Sequence, residues 1–221
     1  MIPIGDDNSA RKITPFVNYI LVALNVFVFI VFQGFGGNEE FTYAYSAVPA
    51  EILTGNDIVT DGETIYDPYT NQTFKIPGLG VTLIPVWFTL ITAMFMHGGF
   101  SHIAGNMLYL WVFGDNLENR MGHGKYFLFY IICGVIASLA HVATCLFSPQ
   151  SALIPSFGAS GAISGIMGAY IILFPQNRVT VFFFPFTLHA KALVALGFWI
   201  AFQIINGLGV LGGTETGGVA Y

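Results

Sequence analysis

Ser160 sits in the string Gly158-Ala159-Ser160-Gly161, and His97, His102 and Asn106 form His-x4-His-x3-Asn. Gly-x-Ser-Gly is one way of writing a nucleophile, although in soluble hydrolases the comparable elbow follows a strand. His102 and Asn106 are four residues apart, so on a helix they share one face. An imidazole and a carboxamide pointing the same way can both donate hydrogen bonds to one oxyanion. Each feature also has an ordinary reading. Serine is a favoured N-cap, and Pro155 with Gly158 is how a helix start is often written. His102 and Asn106 could bond each other, loop carbonyls or water. Zinc is not expected, because two histidines at this spacing with no acidic neighbour are not a recognised ligand set.

The elements that must position these residues follow from composition. Of 221 residues, 9% are charged and 55% hydrophobic, with 22 Phe. An ordinary globular protein carries roughly 25% charged residues, so a water-facing surface cannot be built here. The reading is a multi-pass membrane protein whose partner is the lipid bilayer. A net charge of −5 without a basic run excludes nucleic acid. Cys133 and Cys145, in apolar sequence, read as small buried hydrophobes.

A span needs about 20 mostly apolar residues. Apolar runs cover residues 15–32, 81–114, 126–147, 160–174 and 190–205, and the run 81–114 is broken by His97 to His102. Treating 81–114 as one span preceded by an interfacial segment puts six of the seven Lys and Arg on one side, with only Lys75 opposite. The positive-inside rule then gives five spans and a cytoplasmic N-terminus, residues 1–14. Residues 34–80 form an acidic extracytoplasmic first loop with short helical or hairpin pieces, and residues 207–221 a glycine-rich loop. Asn71-Gln72-Thr73 matches a glycosylation acceptor, a tripeptide common by chance. On this topology His97, His102, Asn106 and Ser160 all lie at the outer ends of their helices. Polar side chains at such depth are functional candidates, because each needs a partner or water.

The combination resembles the rhomboid family of intramembrane serine proteases. The His97-His102-Asn106 pattern, Gly158-Ala159-Ser160-Gly161 and Glu118-Asn119-Arg120-Met121-Gly122 occur in the family's order. Met94-Phe95-Met96-His97-Gly98-Gly99 and Leu110-Trp111-Val112-Phe113-Gly114-Asp115-Asn116 are similar to it too. The resemblance implies an all-α polytopic bundle with a six-helix core and a serine-histidine dyad. It makes Ser160 the nucleophile. His102, Asn106 and the backbone N–H groups around Gly158 and Ala159 become the oxyanion hole, supported by His97 and Gly161. Substrates would be single-span membrane proteins, with no metal or organic cofactor, and the setting a prokaryotic plasma membrane.

Two departures accompany it. The family's general base lies in a sixth helix, and Gly217-Gly218-Val219-Ala220-Tyr221 matches only the approach to it, so this helix and its histidine are expected beyond residue 221. On that expectation the 221-residue form itself is inactive. His123 and His189 read as cytoplasmic, and His141 lies in the third span. Trp87 is followed by Phe88 where some members have arginine. The rivals are a rhomboid-like pseudoprotease that binds transmembrane segments without cutting them, and a transporter whose pathway His97, His102 and Asn106 line. Two geometric expectations follow: the Ser160 hydroxyl lies within about a side-chain length of His102 and Asn106, and Gly161, Gly165 and Gly168 leave an open groove for the sixth helix.

Overall fold

The computed structural model describes residues 2–67, 72–146 and 149–211. In chain order the elements are β1 (Ile2–Asp6), α1 (Phe16–Val31), α2 (Glu39–Ala44), α3 (Pro49–Thr54), β2 (Glu63–Asp67), β3 (Gln72–Ile76), α4 (Thr89–Thr92), α5 (Phe100–Met121), α6 (His123–Cys145), α7 (Ser160–Leu173), β4 (Arg178–Phe183), β5 (Phe186–Lys191) and α8 (Ala192–Leu211). The chain is mostly helical. The all-α expectation needs correcting, because β1, β4 and β5 form a three-stranded antiparallel sheet and β2 pairs with β3. The run Arg-Val-Thr-Val-Phe-Phe at 178–183 is β-branched and aromatic, which suits a pleated surface.

The helices are sorted by what their outward faces carry. Along α1, Asn18, Leu21, Asn25 and Phe29 form one buried stripe, while Ile20, Leu24, Phe27 and Val31 are exposed. Along α6 the buried stripe is Tyr126, Tyr130, Gly134, Val142 and Cys145, and Leu128, Ile132, Ile136 and Leu139 face outward. A helix in water turns polar residues outward; these turn aliphatic ones. Among the described residues α6 alone is both long and apolar enough to cross a membrane, while α1, Val86–Phe95, α7 and the start of α8 are shorter apolar helices.

Small residues bring α6 and α7 together. A Cβ built on Gly161 would lie 2.5 Å from the Ala137 Cβ, and one on Gly165 would lie 2.5 Å from Cys133 Sγ. The glycine groove is therefore not open as expected: α6 already fills it at Gly161 and Gly165, and only Gly168 has nothing within 4 Å. Period alone shows that a face is small, not which neighbour takes it. The loop expected from residue 207 begins later, since α8 continues to Leu211; residues 212–221 and Asn71 of the glycosylation tripeptide lie outside the described residues.

Residues 6–18 and 115–123 knit one end of the bundle. The Glu118 carboxylate accepts from the backbone N–H groups of Val17 (3.0 Å) and Asn18 (2.7 Å), supplying the acceptors that the first turn of α1 lacks. Its Oε1 also meets His123 Nδ1. Arg11 pairs with Asp115 at 2.9 Å, and Asn119 Oδ1 accepts from Lys12 and Ile13. Asp6 accepts from Asn116 at 2.7 Å and Tyr170 at 2.6 Å.

Candidate active site

The candidate site lies at the opposite end of α7, where three connecting segments meet. Residues 44–48 pair with the strand-like approach to α7 through a bridge between Ala47 and Ser156, with N–H to O distances of 3.0 and 2.9 Å. The 3-10 turn Ala93–Phe95 joins them, since the Ala93 carbonyl accepts from the Gly158 N–H at 2.8 Å. The first loop is thus anchored to the site: Thr92 Oγ1 donates to the Tyr45 carbonyl and Thr82 Oγ1 to that of Ala44, each at 2.8 Å. Ala47, Ile52, Leu90, Ala93 and Val142 form a small apolar core beneath it.

Ser160 is the first residue of α7, after an Ala159 cap that offers no side-chain bond. Gly158 has φ +131°, a conformation that favours glycine, and a Cβ there would lie 3.0 Å from His102 Nε2 and 3.7 Å from Ser160 Oγ. Both atoms therefore converge on the space beside Gly158. His102 Nδ1 accepts from the Gly98 N–H at 3.2 Å, so in the neutral ring Nε2 carries the proton and is the donor aimed at this space. Among the described residues the Ser160 hydroxyl has no hydrogen-bond partner.

His97 is fully buried, its ring 5.2 Å from that of His102, and among the described residues neither ring nitrogen makes a hydrogen bond. Gln33 holds its backbone from both sides: Nε2 donates to the His97 carbonyl at 2.9 Å and Oε1 accepts from its N–H at 3.0 Å. Asn106 is buried on α5 one turn below His102, with Nδ2 unpartnered. The expected oxyanion set is narrower than the sequence implies, because the Gly158 N–H is taken by Ala93. Donors without an acceptor at this end, among the described residues, are His102 Nε2, Asn106 Nδ2 and the first-turn amides of α7, which have none within their own helix. Ala159 is buried as the residue before the turn, and Gly161 serves packing against Ala137.

Sequence reasoning missed two residues. His141, set aside as a third-span histidine, lines the same cleft as Ser138, Phe157, Gly158 and Ser160. It stands one turn beyond Ala137, the residue that packs on Gly161, and that spacing was a usable signal. Gln33, a buried amide ending an apolar run, was a second. No three His, Cys, Asp or Glu side chains are gathered as a metal site would require among the described residues.

Outward aliphatic faces around a cluster of serine, histidine and asparagine at one end are the features of a membrane protein with a buried polar site. The Rhomboid domain pattern matches residues 85–219, and the chain belongs to the rhomboid family, whose members are membrane proteins. It is 30% identical over 205 residues to "Rhomboid protease GluP" of Bacillus subtilis, covering 90% of this chain and 33% of that protein. It is 33% identical over 114 residues to "Rhomboid protein 1, mitochondrial" of Saccharomyces cerevisiae, covering 52% of this chain and 31% of that protein. Over 167 residues it is 30% identical to "Presenilin-associated rhomboid-like protein, mitochondrial" of Homo sapiens, covering 65% and 42%. The chain thus spans about a third to two fifths of the length of these relatives. No solved structure matches it.

Proposed function

We propose that this chain is the membrane domain of a rhomboid serine endopeptidase that hydrolyses peptide bonds in or near transmembrane segments. The observation that carries the reading is the convergence of Ser160 Oγ and His102 Nε2 beside Gly158. In this mechanism the Ser160 oxygen attacks the scissile carbonyl, and a histidine base takes the hydroxyl proton, then returns it to the leaving amine. His102 Nε2–H, the Asn106 carboxamide and the first-turn amides of α7 stabilise the oxyanion. The base is assigned to a histidine of a sixth helix following Tyr221, packed against the Ser164–Gly168 face of α7. Substrates are single-span proteins whose helix unwinds near its outer end, since helical backbone is closed to attack. The helices make five spans in a prokaryotic plasma membrane, the N-terminus cytoplasmic, in keeping with the distribution of Lys and Arg and with a bacterial relative.

The test is covalent labelling by a fluorophosphonate, applied to this chain and to one extended by a family sixth helix. An adduct on Ser160 in the extended form is expected. An extended form that binds a single-span segment yet takes no label favours the pseudoprotease. Labelling of the unextended chain that disappears in His141→Gln would make His141 the base.

A further inference from the structure

The three-stranded sheet lies at the end of the bundle remote from Ser160, and it has two unlike faces. Directly opposite residues of paired strands share a face, as do residues two apart along a strand. Val179, Val181 and Phe183 therefore share one face with their partners Ala190, Leu188 and Phe186. Pro3 and Asp6 of β1 join it through their pairing with Val181 and Val179. Close to the bundle this face is in use. Val179 and Val181 are buried against the helices, and Asp6 bonds Asn116 and Tyr170.

Further out the same face runs past the helices uncovered. Leu188 is 51% exposed, Phe183 56%, Phe186 65%, and Phe184 in the turn 82%. The reverse face carries Arg178, Thr180, Thr187, His189 and Lys191, with Phe182 and its half-exposed partner Ile2 as apolar exceptions. A face that covers helix ends and continues sideways meets whatever surrounds those helices at that level. In a membrane protein this is lipid. The lipid-facing side of α8 leads straight to it, because β5 passes directly into α8 and Leu193, Val194 and Phe198 are exposed there.

We propose that the tip of the β4–β5 hairpin, Phe183, Phe184, Phe186 and Leu188, is seated in the headgroup–acyl boundary of the leaflet opposite the Ser160 end. The tip carries no charge, as entry into that boundary requires, and Phe and Leu are side chains that interfacial segments bury there. Arg178 and Lys191, at the other end of the hairpin on the reverse face, lie within reach of anionic headgroups without entering the apolar layer. Seated so, the hairpin fixes the depth at which α7 ends and α8 begins.

The proposal rests on membrane insertion but not on proteolysis, and site-directed spin labelling tests it. The full chain, with Cys133→Ser and Cys145→Ser, carries one cysteine at position 184, 188 or 189 and is placed in phosphatidylcholine–phosphatidylglycerol vesicles. Labels replacing Phe184 and Leu188 are expected to be reached by oxygen and shielded from a water-soluble nickel chelate several-fold more than a label replacing His189. Equal nickel access at the three positions overturns the proposal. So does shielding of position 184 from both reagents, which would mean a protein covers the tip, or spin–spin broadening, which would mean a second copy does. A lipid-borne diazirine on the unsubstituted chain reads the same contact without mutation. Adducts at Ile132 and Ile136 of α6 report insertion itself, and adducts there without any across residues 183–188 sink the hairpin proposal alone.

Discussion

The two ends of this bundle both bury polar side chains, and they differ in which groups are left over. Acceptor-rich carboxylates are satisfied at the sheet end, where Asn8 Oδ1 and Asn18 Nδ2 stay unpartnered among the described residues, and the imidazole and carboxamide donors are left over at the Ser160 end. At the sheet end, both oxygens of Asp6, Asp115 and Glu118 accept hydrogen bonds, from Asn8, Asn116, Tyr170, Arg11, His123 and the amides of α1. At the Ser160 end, both ring nitrogens of His97 and the Asn106 Nδ2 have no partner among the described residues, and their positions are held instead through the Gln33 bonds to the His97 backbone and through the α5 helix. A satisfied buried network fixes a structure. An unsatisfied one, rigidly held, keeps its donors for something that arrives later.

The comparison is most exposed to failure at Glu118. Glu118→Ala leaves the buried Asn18 amide without its acceptor, at about 1–3 kcal/mol, and the part-buried Val17 amide and His123 ring at less. Thermal unfolding in detergent is expected to show a loss of about 2–4 kcal/mol. A loss no greater than that of Asn106→Ala would remove the distinction between the two ends. The converse holds in catalysis. His102→Ala and Asn106→Ala, in the extended form, are expected to lower cleavage by roughly 10²–10³-fold each, the usual cost of one oxyanion donor. Their melting temperatures should stay close to wild type, and a matching loss of fold would make them structural.

Packing gives a smaller effect. Gly165→Val drives a side chain into Cys133 and is expected to cost about 1–3 kcal/mol by overpacking, whereas Gly168→Ala meets open space in this chain and should be neutral. Equal losses in thermal scans would show that the α6–α7 approach is not set by these glycines.

The smallest effect concerns pH. Glu51, buried in the first loop with, among the described residues, only the Ile58 N–H on its carboxylate, has its carboxyl pushed above the usual value by burial. A raised carboxyl binds more protons folded than unfolded, so its contribution to stability falls as pH rises from 4.5 through the folded value. Glu51→Gln should flatten that acid-range slope. A slope unchanged by the substitution would place its origin elsewhere, with Asp6, raised mainly by burial, the next group to replace.

Much of the site was legible in the sequence because its residues are local. Ser160 is placed by the glycines beside it and by the helix it opens, and His102 and Asn106 by one helical turn. The apolar runs gave α1, α6 and α7 because their lipid-facing and core-facing residues are both hydrophobic. What was not legible depends on contacts between distant segments. Nothing near Ala47 announces Ser156, and the Gly158 amide looked free until Ala93 came to face it. The β4–β5 pairing was hidden because residues 175–189 fall between two apolar runs and carry no predicted element, although their alternating valines and aromatics suit a strand. Gly161 and Gly165 advertised a close approach, but no period says whether the third or the sixth helix makes it.

The account's central claim is that the unpartnered end is the reactive one and that Ser160 is its nucleophile. Cleavage of a single-span substrate by the extended protein tests this most directly, compared among wild type, Ser160→Ala and Ser164→Ala. Ser164 is the matched control, one turn further along α7 with its hydroxyl already donated to the Ser160 carbonyl at 2.7 Å. Cleavage is predicted to vanish in Ser160→Ala and to stay within a few-fold of wild type in Ser164→Ala. Undiminished cleavage by Ser160→Ala would contradict the assignment.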